Sequence, residues 1–311
     1  MEFSKLHRFP TKGYFLLLLT CLLVVPLLIN SCGTTTYDPP TTSQTTATLI
    51  GPETLKSWID SGLVNSSSTG YDKVIILDVT SQATYSTGHI PGALFLNTGD
   101  LYNIRQEGPA TDVNMVLDGV RMDALIQRYG IDKNTTVVFT SGAASPGAGS
   151  VLNATRAYWT FRYWGFPKEK LKLLNGINFS WTYGFSTGMS GPTPVPSTYS
   201  VRTIAALRGD LRSSLGDMIA VAEGRAANAV PIDMRSSETD GSYVGKRGST
   251  TGVFNPGSDN VVFEGKVKGG RALLYTTMLD PANNYRFKAA DVLAAMFNTI
   301  GIDSTKISHV Y

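Results

Sequence analysis

Cysteine is almost missing from this sequence, which has two cysteines in 311 residues. Cys21 lies inside an apolar N-terminal run and Cys32 lies just after it, so the rest of the chain holds no thiol. A disulfide framework and a cysteine-based metal site are therefore excluded. Histidine is also scarce, and no His, Cys, Asp and Glu residues have the spacing of a metal site. We expect no metal and no cofactor.

Charge is low as well. Charged residues make up 16% of the chain, and the formal net charge is +3. Lys5, Arg8 and Lys12 supply much of this excess at the N-terminus. The remainder therefore lacks the basic surface of a nucleic-acid-binding protein, and we expect no nucleic acid as partner. The hydrophobic fraction of 42% is enough for a packed core.

The N-terminus has the pattern of an export signal. Basic residues precede an apolar run over residues 14–28, and a small residue, Ser31, stands directly before Cys32. This order predicts a secretory signal peptide over residues 1–31. The alternative is an uncleaved membrane anchor.

Ile29, Ser31 and Cys32 resemble the lipobox of bacterial lipoproteins, whose cysteine is lipidated and becomes the new N-terminus. The resemblance implies lipidation of Cys32, followed by a Thr-rich tether over residues 32–50. Gly33 stands where an aspartate would favour the inner membrane in enteric bacteria. We therefore expect an exported protein of the cell envelope, anchored by lipid in the outer rather than the inner membrane.

Strand patterns and helix patterns alternate through the rest of the chain. Strands are predicted at 73–79, Thr136–Thr140 and 172–174, and helices at 122–129 and 152–165. Such alternation predicts an α/β fold with a parallel sheet.

A stretch rich in Pro, Ser and Gly at 191–198 marks a domain boundary, which gives domains at 51–190 and 191–311. The second part repeats the order of the first. Gly-Ile-Asp precedes the strand Thr136–Thr140, and Gly-Ile-Asp also precedes residues 306–311, with no gap needed between the two segments. In this alignment Thr140 pairs with Tyr311. Ser141 pairs with the position after the given chain.

Asp78-Val79-Thr80, then Tyr85, then the turn 88–93 (Gly-His-Ile-Pro-Gly-Ala) resemble the signature of rhodanese domains. Residues 153–165 are similar to the helix after the active-site loop in tandem thiosulfate and mercaptopyruvate sulfurtransferases. Residues 231–236 and 265–270 resemble degenerate copies of the same motifs. The resemblance implies two rhodanese-like domains, each a parallel sheet flanked by helices, with the second domain incomplete and ending before its active-site loop.

The resemblance also assigns site residues. The nucleophile of this family is a cysteine at the head of the loop after a central strand, and Ser141 occupies that position in the first domain. The first domain is then a non-catalytic partner. Arg235, close to Asp233, is a candidate for binding an anionic substrate, although a purely solvent-facing or paired role is equally open.

The remaining signature residues are interpreted as structural. Asp78 and Asp233 end the two opening strands, and Gly88 and Gly92 shape the turn in the first domain. His89 in that turn is interpreted as a hydrogen-bonded structural residue rather than a base.

Three function classes follow. The first is an envelope-anchored sulfurtransferase, which takes sulfane sulfur from thiosulfate or a mercapto acid and passes it to a thiol or cyanide. The second is a non-catalytic rhodanese-fold scaffold in an envelope assembly. The third, a serine hydrolase, is disfavoured because no Gly-x-Ser-x-Gly elbow surrounds Ser141 or Ser145.

The alignment of Ser141 with the position after Tyr311 makes that position the expected nucleophile, a cysteine or a selenocysteine. A UGA codon there, read as selenocysteine by the cell, would account for it; a degenerate gene or a cloning boundary are the alternatives. As written, the chain is expected to be inactive.

Overall fold

The computed structural model describes residues 47–67, 73–107, 110–142, 147–204, 207–234 and 267–310. Cys32, Arg235 and Tyr311 lie outside the described residues. The predicted lipidation, substrate-binding and strand-end roles of these three residues therefore stay predictions.

The first half of the chain alternates strands and helices, as its sequence pattern predicts. Its strands are β1 (Leu49–Ile50), β2 (Val74–Thr80), β3 (Leu94–Asn97), β4 (Asn103–Glu107), β5 (Ala110–Met115), β6 (Thr136–Thr140) and β7 (Leu171–Leu174). Its helices are α1 (Pro52–Asp60), α2 (Gln82–Thr87), α3 (Gly119–Arg128), α4 (Ala148–Tyr163) and α5 (Ile177–Thr182). Within the part of the chain that the structure describes, no helix has the length and apolar character needed to cross a membrane.

Five strands form one parallel sheet in the order β1-β7-β6-β2-β3. All seven residues of β2 are buried, as its continuous Val-Ile-Ile-Leu run predicts for a strand covered on both faces. The predicted α/β fold with a parallel sheet flanked by helices is confirmed. The helix predicted from residue 152 begins earlier, at Ala148. Its first turn contains Gly and Ser residues, which the sequence pattern assigned to the preceding loop.

Alternate side chains of β2 enter two separate cores. Ile75 and Leu77 belong to the larger core, which α3 and α4 cover. Val74 and Ile76 belong to the other core, together with Trp58 of α1. The separation follows from the two-residue period of a strand.

The second half of the chain forms a smaller sheet and a hairpin. Its elements are α6 (Leu215–Ala222), β8 (Ala229–Asp233), β9 (Arg271–Ala272), β10 (Leu279–Asp280), β11 (Arg286–Phe287), α7 (Ala290–Thr299) and β12 (Ile307–Val310). The sheet has the order β12-β8-β9, with both pairs parallel. Strands β10 and β11 form an antiparallel hairpin, as β4 and β5 do in the first half.

The second sheet has the register of the first. Ile307 of β12 lies opposite Ala229 of β8, just as Thr136 of β6 lies opposite Val74 of β2, and the next three pairs continue both alignments. The ungapped alignment drawn from the sequence pairs Thr136 with Ile307, so sequence and register agree. The two halves therefore share one strand arrangement.

The turn that precedes β3 in the first half is repeated before β9 in the second half. In the turns 90–93 and 267–270, the fourth residue donates its amide to the first carbonyl oxygen at 2.9 Å. The third residue, Gly92 or Gly269, has a left-handed φ of 82° or 78°. The sequence predicts that residues 265–270 correspond to the turn 88–93, and the backbone of the described residues 267–270 agrees.

The second sheet is less covered than the first. Phe139 of β6 is fully buried, whereas Val310, at the equivalent place in β12, is 56% exposed. Among the described residues, no strand pairs with the outer edge of β12, where β7 pairs with β6 in the first sheet. Strand β12 therefore presents an open edge and a partly exposed apolar face.

The hairpin of the second half completes the larger core of the first half. Leu279 is buried in that core, and Tyr285 and Phe287 pack against it. The amide of Phe287 also donates to Asn175 Oδ1 at 2.9 Å. Residues 42–311 accordingly cluster as one unit, and the boundary at 190/191 stays a prediction.

Replacing Leu279 by Ala is expected to lower the free energy of unfolding by about 3 kcal/mol, because the change leaves a cavity in the shared core. The matched control is Leu215→Ala, at a leucine that is 48% exposed, for which a loss below about 1 kcal/mol is expected. Urea unfolding followed by tryptophan fluorescence measures both. Equal losses would show that the hairpin does not support the core.

Candidate functional site

Ser141 follows directly after β6 and is fully buried. Its Oγ donates a hydrogen bond to the carbonyl oxygen of Val79 at 2.8 Å, which ties the end of β6 to the end of β2. Its own carbonyl oxygen accepts from the amide of Asn178 at 3.1 Å. A buried hydroxyl that is committed to a backbone carbonyl is not placed to attack a substrate.

A chain of buried side chains runs beside Ser141. Thr140 Oγ1 donates to Asn178 Oδ1 at 2.8 Å, and Asn178 Nδ2 donates to Asp78 Oδ2 at 2.8 Å. Thr80 Oγ1 reaches the loop itself and donates to the carbonyl oxygen of Gly142 at 2.8 Å. The carboxyl ends of β2 and β6 are thus joined to each other and to α5.

Asn178 is the central residue of this chain, and the sequence analysis did not predict it. It lies 100 residues from Asp78 and 38 residues from Thr140, so no local pattern links them. The turn that aims it is unusual, because Gly176 and Ile177 both have left-handed φ, 87° and 48°. A β-branched residue rarely adopts that conformation. The available signal was a polar residue four positions after the end of β7, beyond the carboxyl edge of the sheet.

Burial raises the pKa of Asp78 from 3.8 to about 6. The hydrogen bond from Asn178 and the charge of His89 each lower it, but less than burial raises it. The backbone amide of Gly142 also lowers it, although Oδ1 has no hydrogen bond of good geometry among the described residues. Asp78 is therefore an acid that holds its proton at higher pH than an exposed aspartate does.

His89 is enclosed under the turn 88–93, with 1% of its surface exposed. Its Nδ1 lies 3.0 Å from the carbonyl oxygen of Tyr85, and since a carbonyl only accepts, Nδ1 carries the donated proton. The ring stacks on Tyr85, with centroids 3.8 Å apart and planes 3° from parallel. The contacts make His89 part of the support of the turn.

Both glycines of the turn are required by its shape. Gly92 has φ of 82°, and a Cβ there would lie 2.8 Å from Val64 Cγ1. Gly88 has φ of 147°, and a Cβ there would lie 3.0 Å from Thr187 Oγ1. Any side chain at either position would meet strain and a close contact.

In the second half, Asp233 is the last residue of β8 and corresponds to Asp78 of β2. The prediction that Asp78 also ends its strand is wrong, because β2 continues to Thr80. Asp233 is fully buried, and its carbonyl oxygen accepts from the amide of Leu273 at 2.9 Å. Arg235 lies outside the described residues, so its predicted role in substrate binding stays a prediction.

The residues of a serine hydrolase do not meet in the first half. Ser141 and His89 each bind a backbone carbonyl oxygen, and Ser145 lies outside the described residues. Ser213 Oγ does lie 2.8 Å from His309 Nδ1. However, the nearby carboxylate of Asp217 accepts from the amide and hydroxyl of Ser214 and caps α6 instead of orienting the histidine ring.

A cavity of about 670 Å³ lies at the opposite end of the first sheet, lined by Lys73, Tyr129, Lys133 and the strap 193–200. It opens where β2 and β6 begin, whereas Ser141 lies where they end. In an α/β sheet the functional residues lie at the carboxyl ends of the strands, so we do not assign the site to this cavity. Within the described residues, no group of three or more His, Cys, Asp or Glu side chains could hold a metal ion.

Residues 52–182 match the family model of the Rhodanese-like domain. The match begins at the first residue of α1 and ends at the last residue of α5, so it includes Asp78, His89, Ser141 and Asn178. A comparison with curated proteins found no match.

Solved structures share the fold. SseA from Escherichia coli, a 3-mercaptopyruvate sulfurtransferase, matches with a TM-score of 0.60 and 18% identity, over 85% of this chain and 87% of that chain. The anaerobic ergothioneine biosynthesis enzyme from Chlorobium limicola matches with a TM-score of 0.63 and 18% identity, over 85% of this chain. This chain spans only 60% of the length of that enzyme. At these identities the likeness shows the fold alone.

Replacing Asp78 by Asn is expected to remove one component of the pH dependence of stability. The folded rhodanese-like domain holds the Asp78 proton more tightly than the unfolded chain. The group therefore contributes stability that is complete below pH 3.8 and is lost as the pH rises to about 6. The rise in pKa corresponds to about 3 kcal/mol.

Urea unfolding from about pH 4 to about pH 7.5 measures this effect. The wild type should lose about 2.5 kcal/mol more than Asp78→Asn over that range, while Asp60→Asn, at an exposed aspartate of α1, should behave like the wild type. Parallel curves for all three proteins would contradict the assignment.

Proposed function

We propose that the protein is an envelope-anchored sulfurtransferase of the rhodanese type, in which residues 51–190 form a non-catalytic domain and residues 191–311 belong to the catalytic one. The repeated register of the two sheets carries this proposal. Because of this register, the second half has the same strand arrangement as residues 52–182, which match the Rhodanese-like domain. The similarity to SseA also extends over 85% of this chain.

The register also supports a position for the nucleophile. In the first sheet Asp78 lies opposite Thr140, and Ser141 follows. In the second sheet Val310 lies opposite Ile232, so the same spacing would set Tyr311 opposite Asp233 and the next residue at the place of Ser141. A cysteine or selenocysteine there would head the active-site loop. A selenol ionises more readily than a thiol, so a selenocysteine would be an anionic nucleophile at neutral pH.

The chemistry needs only that nucleophile and its two substrates. Its thiolate or selenolate attacks the outer sulfur of thiosulfate, the sulfur–sulfur bond breaks, and sulfite leaves with the electron pair. Cyanide or a thiol then attacks the bound outer sulfur, which releases the product and restores the nucleophile. A mercapto acid could serve as the donor in place of thiosulfate.

Arg235 is proposed to bind the anionic donor. If the alignment of Asp233 with Asp78 continues, Arg235 would correspond to Thr80, two residues after Asp78. Thr80 Oγ1 contacts the carbonyl oxygen of Gly142, the second residue of the loop in the first half. A guanidinium at the equivalent place could reach the corresponding loop and pair with a sulfonate or carboxylate group.

The second candidate is a non-catalytic scaffold. The hydroxyl of Ser141 is buried and bonded to Val79, which favours a purely structural first half. The open edge of β12 offers a surface on which another chain could add a strand. A sulfur-transfer assay separates the two functions.

The anchor is proposed at Cys32, from the lipobox-like sequence. Cells fed a fatty-acid analogue should label the wild-type protein at a mature N-terminus that begins with Cys32, in the outer-membrane fraction. Cys32→Ala should be unlabelled and should keep residues 1–31. Processing of Cys32→Ala at the same site would contradict the proposal.

The activity is tested on two proteins. One is the 311-residue chain, and the other carries the reading frame beyond codon 311, with the next codon read as cysteine. Only the longer protein is expected to form thiocyanate from thiosulfate and cyanide, because the shorter one lacks the nucleophile. Thiocyanate formation by the 311-residue chain would refute the proposed site, and an inactive, folded longer protein would favour the scaffold.

In the longer protein, Arg235→Gln is expected to raise the KM for thiosulfate by about tenfold or more, since a charge-assisted hydrogen bond to the donor is lost. Arg225→Gln is the matched control, because Arg225 is exposed and pairs with Glu223 on the surface. An unchanged KM for Arg235→Gln would contradict the proposed role of Arg235 in donor binding.

A further inference from the structure

The cavity of about 670 Å³ at the amino end of the first sheet has no role in the proposed sulfur transfer. Its volume lies in the range of pockets that hold small organic molecules. Four separate segments supply its walls: residues 65–67, the start of β2, residues 129–134 and the strap 193–200. The cavity therefore lies where the connection between the two halves crosses back over the first sheet.

Hydrogen bonds hold the strap in place over α3 and the residues that follow it. Ser197 donates its amide to the carbonyl oxygen of Gln127 at 2.9 Å and its Oγ to the carbonyl oxygen of Ile131 at 2.7 Å. Ser200 Oγ donates to Asp123 Oδ2 at 2.7 Å. The wall that the strap provides is therefore a fixed part of the fold, as the walls of most ligand pockets are.

Gly130 allows the strap to approach the floor of the cavity. Its φ of 65° is left-handed, and a Cβ at this position would collide with the carbonyl oxygen of Val195 in the strap. Only glycine fits both the backbone conformation and the space. The strap thus closes one side of the cavity by direct contact with the backbone after α3.

The charged side chains that line the cavity are Lys73, Lys133 and Asp132. Lys73 Nζ donates to the carbonyl oxygen of Gly130, and two further N–H donors of this half-buried ammonium group remain. Among the described residues, neither lysine forms an ion pair. Two lysines against one aspartate leave the lining with an excess of positive charge, which favours an anionic ligand.

The rest of the lining combines apolar surface with hydroxyl groups. Ile75, Tyr129, Pro194 and Tyr199 supply the apolar surface, two of them with aromatic rings. Ser66 Oγ is buried and has no hydrogen-bond partner among the described residues, so it is a polar group that a ligand can satisfy. Ring surface beside ammonium groups matches an aromatic molecule that carries an acid group.

We propose that this cavity binds a small aromatic anion, a carboxylate or a sulfonate. Its acid group pairs with Lys73 and Lys133, and its ring lies against the apolar lining. The site is independent of sulfur transfer, because β2 and β6 begin at this cavity, whereas Ser141 lies at their other end.

The probe for the test is naphthalene-2-sulfonate, and its neutral analogue naphthalene-2-sulfonamide is the comparison. Equilibrium dialysis of the full chain in detergent, corrected for the detergent alone, measures the binding of each. The sulfonate is expected to bind at least about tenfold more tightly than the sulfonamide, because only the sulfonate forms charge-assisted hydrogen bonds with the lysines. Its affinity should fall as sodium chloride is added.

Two variants locate the site. Lys73→Gln should weaken sulfonate binding by about tenfold, since a charge-assisted hydrogen bond is lost. Thr198→Trp, at an exposed residue of the strap that lines the cavity, should exclude the probe by filling part of the space. Lys56→Gln is the matched control, because Lys56 lies on α1 and pairs with Asp60 at the surface. This control should bind the sulfonate like the wild type.

Equal binding of the sulfonate and the sulfonamide would overturn the proposal, and so would sulfonate binding no greater than that of the detergent alone. Equal affinities of Lys73→Gln and Lys56→Gln would overturn it as well. Lys73 also supports Gly130, so circular dichroism must show that Lys73→Gln is folded. If it is not, Lys133→Gln, at an exposed lysine, takes its place with an expected loss of about threefold, and wild-type affinity in that variant would be the contrary result.

Discussion

The parallel pairing of β2 with β6 is the constraint on which the rest of the first half depends. This register sets Asp78 opposite Thr140, so Asn178 can bind both side chains at once. It also brings Ser141 Oγ to the carbonyl oxygen of Val79. A shift of one residue would turn the strand faces over and separate all of these groups. The core and the site are therefore fixed by the same register.

The same register in the second half has a different outcome. Asp233 is buried like Asp78, but Val310 remains 56% exposed where Phe139 is enclosed. In the first half, β7 pairs with the outer side of β6 and α4 packs on its face. In the second half, β12 is the last strand of the sheet among the described residues. One arrangement of strands thus has a partner strand beyond β6 in the first half and, among the described residues, none beyond β12 in the second.

Sequence patterns predicted the parts of the fold that depend on local periodicity. The strand Thr136–Thr140 has its predicted bounds, and the repeat drawn from the two Gly-Ile-Asp segments agrees with the strand register. Asn178 and the burial of Leu279 in the first core were not predicted. Both depend on contacts between distant segments, which no local pattern records. The raised pKa of Asp78 likewise arises only once the surrounding elements have buried it.

The serine at position 141 and the closed carboxyl end of the first sheet are physically linked. The hydroxyl of Ser141 is a strong donor, and it satisfies the buried carbonyl oxygen of Val79. A thiol is a weak donor and would leave that carbonyl poorly paired. A reactive thiolate would be worse, since it only accepts, and it would place a charge beside the buried Asp78. The hydrogen bonds that stabilise this end of the sheet are therefore incompatible with a cysteine nucleophile at position 141. In a catalytic domain of the same fold, the carbonyl oxygen equivalent to that of Val79 needs a different hydrogen-bond donor.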